Sequence, residues 1–145
     1  MSTAISLSQY VKKRTGVALG ASGSMRNMLE RSLGAPSFYV FWRYWNPIWS
    51  YYLSRFVMKP TVDFLPNWCA VLVTFAVSGA LHDLAVMLIK WQFIYFFTPW
   101  FILMGGCALL SVQFKLSFPQ LPWFARAAIN LIYIVGSFLL VDLFV

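Results

Sequence analysis

Two short sequences decide the fold class of this chain: FWRYWNPIWSYYL at residues 41–53 and VSGALHD at residues 77–83. The first combines tryptophan and tyrosine with basic residues, a composition that favours the headgroup level of a membrane. The second lies within a long apolar segment and contains His82, the only histidine of the chain. We expect the rest of the chain to anchor this pair and pack around it.

The composition argues against a soluble globular domain. Of the 145 residues, 61% are hydrophobic and 10% are charged, whereas a typical soluble domain is about 45–50% apolar and about 25% charged. The net charge is +7, and eight of the eleven Lys and Arg residues lie in residues 1–60. This clustering indicates attraction to anionic headgroups, so the expected partners are membrane lipids and not nucleic acid.

We therefore predict an all-α integral membrane protein with about three transmembrane helices plus interfacial amphipathic helices. The first apolar segment, 67–89, would be about 34 Å long at 1.5 Å per residue, enough to cross a hydrocarbon core of roughly 30 Å. Pro47 is expected to interrupt any helix through the aromatic stretch. The predicted segments are a partly loose polar arm (1–37), two short interfacial helices (38–59) and spans at 67–89, 93–114 and 127–145.

The basic residues also predict the orientation. Cytoplasmic segments are enriched in Lys and Arg, so we place the N-terminus and the 115–126 loop in the cytoplasm. The 90–92 turn and the C-terminus would then lie outside. The expected location is a bacterial inner membrane or the endoplasmic reticulum.

A polar stripe runs along the first predicted span. Thr74, Ser78 and His82 are spaced i, i+4, i+8 and share one helix face. An ionisable residue at this depth is costly and usually faces a cavity or a partner. The alternative is a packing histidine that is hydrogen-bonded to a neighbouring helix. Asp83 points about 100° away from His82, so we expect its carboxylate to pair elsewhere.

The stripe also bears on assembly. Lipid tails offer no hydrogen-bond partners, and three spans leave such a stripe incompletely covered. We therefore expect a homo-oligomer or a partner membrane protein packed on that face. Small residues that would allow close helix contact are Gly79, Gly105 and Gly106.

Asn46 lies between Trp45 and Pro47. Its amide can donate to a carbonyl or an oxyanion, but spacing alone favours a turn-forming role before proline. The two cysteines, Cys69 and Cys107, have neither metal-ligand nor CxxC spacing and are interpreted as small buried hydrophobes. No metal site is predicted.

The two sequences, in this order, resemble the two signatures of the membrane-bound O-acyltransferase (MBOAT) family. The first similarity rests on residues 41–47 followed by Trp49, Leu53, Arg55, Val57 and Pro60. The second is a run of small residues, then a histidine followed by an acidic residue. The asparagine form of the first signature is most similar to the sterol, diacylglycerol and wax-ester branches. The resemblance covers about residues 38–90.

The resemblance implies a transfer of an acyl group from a thioester donor, such as acyl-CoA, to a lipid or small lipophilic acceptor. His82 would be the general base on the acceptor hydroxyl or amine, and Asn46 would steady the oxyanion. No cofactor is implied besides the thioester co-substrate. The residues expected to bind substrate are Trp42, Arg43, Trp45, Thr74 and Ser78.

The chain is much shorter than the members of this family, which enclose a tunnel with many more spans. Three hypotheses follow from that difference. The chain is a minimal acyltransferase that closes its chamber by self-association, the catalytic piece of a split enzyme, or a non-catalytic membrane subunit that binds lipid or a partner protein.

Overall fold

The computed structural model describes residues 4–145, and these residues form helices and connecting turns without any strand. Five short α-helices and one π-helical turn come before three longer helices. The short elements are α1 (Leu7–Thr15), α2 (Ser24–Leu33), α3 (Phe38–Tyr44), α4 (Pro47–Leu53), the π-helical turn Ser54–Met58 and α5 (Lys59–Val62). The longer helices are α6 (Asn67–Lys90), α7 (Phe97–Gln113) and α8 (Trp123–Phe144). The prediction of an all-helical chain is confirmed for the described residues.

Two of the longer helices, α6 and α8, are long and apolar enough to cross a membrane. In the most apolar 18-residue segment of α6, only 17% is buried inside the protein. The corresponding share in α8 is 22%. Helix α7 has 17 residues, about 25 Å at 1.5 Å per residue, and is shorter than a typical span. By length and composition, residues 4–145 therefore contain two candidate spans where three were predicted.

The end of α6 and the starts of α7 and α8 differ from the ends of the predicted segments. Helix α6 ends at Lys90 because Trp91 has a left-handed backbone with a φ of 54°. Helix α7 then begins at Phe97 instead of residue 93. Helix α8 begins at Trp123, four residues before the predicted start. It cannot extend further toward the N-terminus, because Pro122 keeps the residue before it out of the helical conformation.

Helices α6 and α7 pack closely along their length through two glycines. A Cβ on Gly79 would lie 2.5 Å from the carbonyl oxygen of Phe97, and one on Gly105 would lie 2.8 Å from the ring of Phe75. Both glycines thus serve contacts within the chain. Gly106 differs, because a Cβ there would meet nothing within 4 Å.

The aromatic stretch supplies much of the buried core. Phe38 and Phe41 of α3 are almost fully buried and pack with Met104 and Ala108 of α7, and the ring of Phe38 stacks on Tyr133 of α8 at 4.6 Å. This stretch is therefore packed against the middle of the long helices. Its placement at a membrane interface stays a prediction.

The N-terminal part, for which the sequence predicted a partly loose arm, contains the helices α1 and α2, and both are attached to the rest of the chain. Helix α1 packs on α4, where the Tyr51 hydroxyl donates to the Ile5 carbonyl at 3.2 Å. The linker after α2 is attached to α8 by Asn130, whose Nδ2 donates to the carbonyls of Leu33 and Ala35 at 2.9 and 3.1 Å. These contacts explain why α8 contains a buried asparagine.

Candidate functional site

A cavity of about 740 Å³ lies between α3, α4 and the π-helical turn on one side and α6 and α7 on the other, with further contacts from α2 and α8. Among residues 4–145, the lining of this cavity includes one arginine, Arg43, and one histidine, His82. It includes no Asp or Glu. All the predicted site residues line this cavity: Trp42, Arg43, Trp45, Asn46, Thr74, Ser78 and His82.

One ring nitrogen of His82 is hydrogen-bonded within the chain, and the other has no partner among residues 4–145. Its Nδ1 lies 2.6 Å from the Ser78 carbonyl oxygen, one turn earlier on α6. A carbonyl can only accept, so Nδ1 carries the proton, and in the neutral imidazole the lone pair is then on Nε2. Nε2 makes no hydrogen bond to any residue of 4–145 and remains accessible. The ring lies among Trp49, Phe97 and Phe101, with centroid distances of 5.9, 5.7 and 4.8 Å.

The polar stripe faces the cavity and finds its partners within the chain. The Thr74 hydroxyl donates to the Ala70 carbonyl at 2.7 Å, and the Ser78 hydroxyl oxygen accepts from Trp49 Nε1 at 2.9 Å. Each side chain of the stripe thus has a hydrogen-bond partner within the chain, whereas His82 Nε2 has none among residues 4–145, and a second chain on this face stays a prediction. Self-association itself stays a prediction.

Asn46 takes the turn-forming role that its spacing favours. It has a left-handed backbone with a φ of 42° and a ψ of 70°, and it caps α4 by accepting the Trp49 backbone N–H at 3.3 Å. An Asn tolerates this conformation better than most residues, and Pro47 suits the first helical position. The Asn46 oxygen is thus engaged, whereas its Nδ2 has no hydrogen-bond partner among residues 4–145.

The other three residues of the first motif occupy different parts of the wall. Trp42 packs edge-on against Phe75 at 5.1 Å, and its buried Nε1 has no partner in the part of the chain that the structure describes. Trp45 stacks on Phe41 at 5.5 Å. Arg43 is exposed.

Trp49 is a site residue that the sequence interpretation missed. It connects Asn46, Ser78 and His82 through its backbone N–H, its Nε1 and its ring, respectively. The sequence spacing did point to one of these contacts. Trp49 stands three residues after Asn46, and an N-capping asparagine accepts a hydrogen bond from the backbone N–H at that position. Its contacts with α6 could not be read from that spacing.

Asp83 pairs away from His82, as its direction on the helix predicted. Asp83 is 2% exposed, and its carboxylate caps the start of α7. Oδ1 accepts the backbone N–H groups of Phe96 and Phe97 at 3.0 and 2.8 Å. Oδ2 accepts the N–H and the hydroxyl of Thr98 at 2.9 and 2.6 Å. Nothing in the sequence spacing identifies these partners.

Within residues 4–145, no group of three or more His, Cys, Asp or Glu residues could hold a metal ion. Comparison of the chain with protein-family models, with curated proteins and with solved structures finds no match. The resemblance to the MBOAT family therefore rests on the two motifs alone and stays a prediction.

Proposed function

We propose that the chain is a small membrane-embedded acyltransferase of the MBOAT type, which transfers an acyl group from a thioester to a lipid or small lipophilic acceptor. The observation that carries the proposal is the free Nε2 of His82, which is accessible beside an apolar cavity while Nδ1 is held by the Ser78 carbonyl. An imidazole held in this way is suited to removing a proton from a bound nucleophile.

The chemical step follows from that geometry. His82 Nε2 takes the proton of the acceptor hydroxyl or amine, and the acceptor oxygen or nitrogen forms a bond to the thioester carbonyl carbon. The tetrahedral intermediate collapses with cleavage of the C–S bond, and the thiolate receives the proton from the imidazolium. The Asn46 Nδ2 is proposed to donate to the oxyanion, because only the oxygen of that amide is engaged in capping.

The cavity suits an acyl chain as the group that is transferred. Its volume of about 740 Å³ falls within the ~300–1,000 Å³ typical of small-molecule sites. Part of its wall is formed by apolar, non-aromatic residues of three helices, α2, α7 and α8: Leu29, Leu33, Met104, Ala108, Leu131 and Ile134. Such a wall would hold hydrocarbon and exclude water from the thioester.

Membrane integration is part of this proposal. Large apolar side chains of α6 and α8 are exposed, including Ile89 at 79% and Leu143 at 78%, and in water such surfaces would aggregate. Trp68 and Trp91, at the two ends of α6, are also exposed, as expected for residues at headgroup level. Helix α7 would complete the bundle as a third, shorter span.

A second candidate function is that of a non-catalytic subunit that binds lipid or a partner protein. It is favoured by Asn46, whose oxygen caps α4, because this cap gives the motif residue a structural role that needs no catalysis. The same cavity would then hold a lipid permanently.

A thioester-release assay separates the two functions. Purified protein in mild detergent is incubated with a panel of acyl-CoA donors and lipophilic acceptors, and free thiol and acylated acceptor are measured together. The acyltransferase proposal requires both products in equal amounts. Co-purified lipid without thiol release across the panel would support the binding subunit instead.

Topology and assembly have their own tests. Single cysteines at Ser37 and Ser117 should be labelled from the cytoplasmic side, and one at Gln92 from the opposite side, in a background without the native cysteines. Labelling of Gln92 from the cytoplasm contradicts the proposed orientation. The mass in detergent, corrected for bound detergent, decides between a monomer and a homo-oligomer.

A further inference from the structure

Two residues of α6, Gly79 and Asp83, fix the first turn of α7. The four hydrogen bonds to the Asp83 carboxylate hold the start of that helix, and Gly79 lets the Phe97 carbonyl approach the α6 backbone. Phe96, just before α7, provides no side-chain cap. The N–H groups at this helix end would otherwise lack partners, so Asp83 replaces the local cap.

This first turn carries the aromatic wall beside His82. Phe97 has its N–H on Asp83 and its carbonyl against Gly79, so its backbone is held from both sides. Its ring centroid lies 5.7 Å from that of His82, and the ring of Phe101, one turn later, lies at 4.8 Å. The position of the wall therefore depends on the Asp83 contacts.

The remainder of α7 is held by other contacts. Met104 and Ala108 pack in the core with α3, and Trp100 Nε1 donates to the Ser137 hydroxyl at 3.0 Å. Loss of the Asp83 contacts should consequently open the first turn of α7 while leaving the helix packed, because proteins open locally where few contacts remain.

We propose that Asp83 is a positioning residue that acts on His82 through α7. By holding the first turn of that helix, it keeps Phe97 against the imidazole and limits access to Nε2. This inference rests on the proposed function for its catalytic meaning, because it concerns the same imidazole. Its structural content can be measured without any transferase activity.

The experiment uses His82 as the only histidine of the chain. Purified protein is treated with diethyl pyrocarbonate, and carbethoxylation of that one residue is followed by mass spectrometry. In Asp83→Asn, an NH₂ group replaces one acceptor oxygen, and the charge-assisted hydrogen bonds to the start of α7 are lost. The first turn of α7 should then open, and the rate of His82 modification should rise roughly tenfold. Thr98→Val removes a single hydroxyl bond and should raise the rate about threefold. Asp142→Asn, an exposed aspartate on α8, is the matched control and should leave the rate unchanged.

Phe97→Ala removes the ring without changing the carboxylate, and it should raise the modification rate as well. Thermal unfolding of every variant is measured in the same detergent. An unchanged rate in Thr98→Val and Phe97→Ala overturns the proposal, whether or not Asp83→Asn folds. The proposal would also be overturned if the Asp83→Asn protein were folded and destabilised but its His82 were modified at the wild-type rate. Asp83 would then be a structural cap only.

Activity measurements separate this inference from the proposed function. With an active protein, Thr98→Val should lower kcat and leave KM for the thioester unchanged, since the variant alters the surroundings of the base and not the acyl wall. Faster modification in a protein that shows no transferase activity would contradict the proposed function alone. A normal kcat in Thr98→Val with a normal modification rate would contradict the positioning role alone.

Discussion

Helices α4 and α7 begin in different ways, although the first turn of each places an aromatic ring beside His82. Helix α4 is capped by Asn46, the residue immediately before it. Helix α7 has no cap of its own and begins where Asp83 of α6 accepts its N–H groups. A local cap can be read from the sequence, whereas a cap from another helix depends on how two helices pack. Variants at each start, and at the histidine between them, test this distinction.

The largest expected effect is on activity at the histidine itself. His82→Gln keeps a group that can donate to the Ser78 carbonyl but cannot take up a proton near neutral pH. We expect turnover to fall by about 10²–10⁴-fold, the usual contribution of general acid–base catalysis. Thiol release is measured alongside the thermal midpoint, which should stay close to wild type. Unchanged turnover in a folded variant would remove the general base and favour the packing alternative.

Asn46 allows the cap and the proposed oxyanion donor to be separated. Asn46→Asp retains an oxygen that can accept the Trp49 N–H but replaces the Nδ2 donor with an acceptor. If that donor steadies the oxyanion, turnover should fall by about 10²–10³-fold, with stability largely retained because Asp is a good N-cap. The comparison variant is Asn46→Ala, which should lose turnover and about 1 kcal/mol of stability. Full activity in Asn46→Asp would mean that the residue is a cap only.

The α7 start should be sensitive to a single methyl group on α6. Gly79→Ala would place a Cβ within 3 Å of the Phe97 backbone, and we expect a loss of about 1–3 kcal/mol from overpacking. Gly106→Ala is the matched control on α7, because open space surrounds that position. It should be neutral or stabilising by up to about 1 kcal/mol through helix propensity. Thermal unfolding in detergent measures both, and equal midpoints for the two variants would contradict the close approach of α6 and α7.

The smallest expected effect is at the contact between α4 and α6. Trp49→Phe keeps an aromatic ring near His82 but loses the N–H that donates to Ser78. We expect a loss of about 0.5–1.5 kcal/mol, the usual net contribution of one hydrogen bond. Trp68→Phe is the control, since Trp68 is 58% exposed. If the Trp49→Phe protein were as stable as this control, the hydrogen bond from the indole N–H to Ser78 would contribute nothing to stability.

The sequence was sufficient for features that depend on neighbouring residues. Apolar composition and length predicted the helical class and the approximate positions of α6, α7 and α8. The spacing of Thr74, Ser78 and His82 predicted a common face, and these three residues do line one cavity. The turn at Asn46 and Pro47 was equally readable, because capping and proline geometry act within a few residues. The functional assignment of the two motifs came from a family resemblance and stays a prediction.

Other features depended on contacts between residues far apart in the sequence. Phe97 became the first residue of α7 because the carboxylate of Asp83 lies at that point, and four hydrogen bonds outweigh the apolar run that suggested an earlier start. Ser78 of the polar stripe finds its partner within the chain because Trp49 reaches it across 29 positions. Hydrogen bonds and close packing are short-range in space, so a pattern within one segment predicts which face is polar. Which distant group meets that face is set by the packing of the helices.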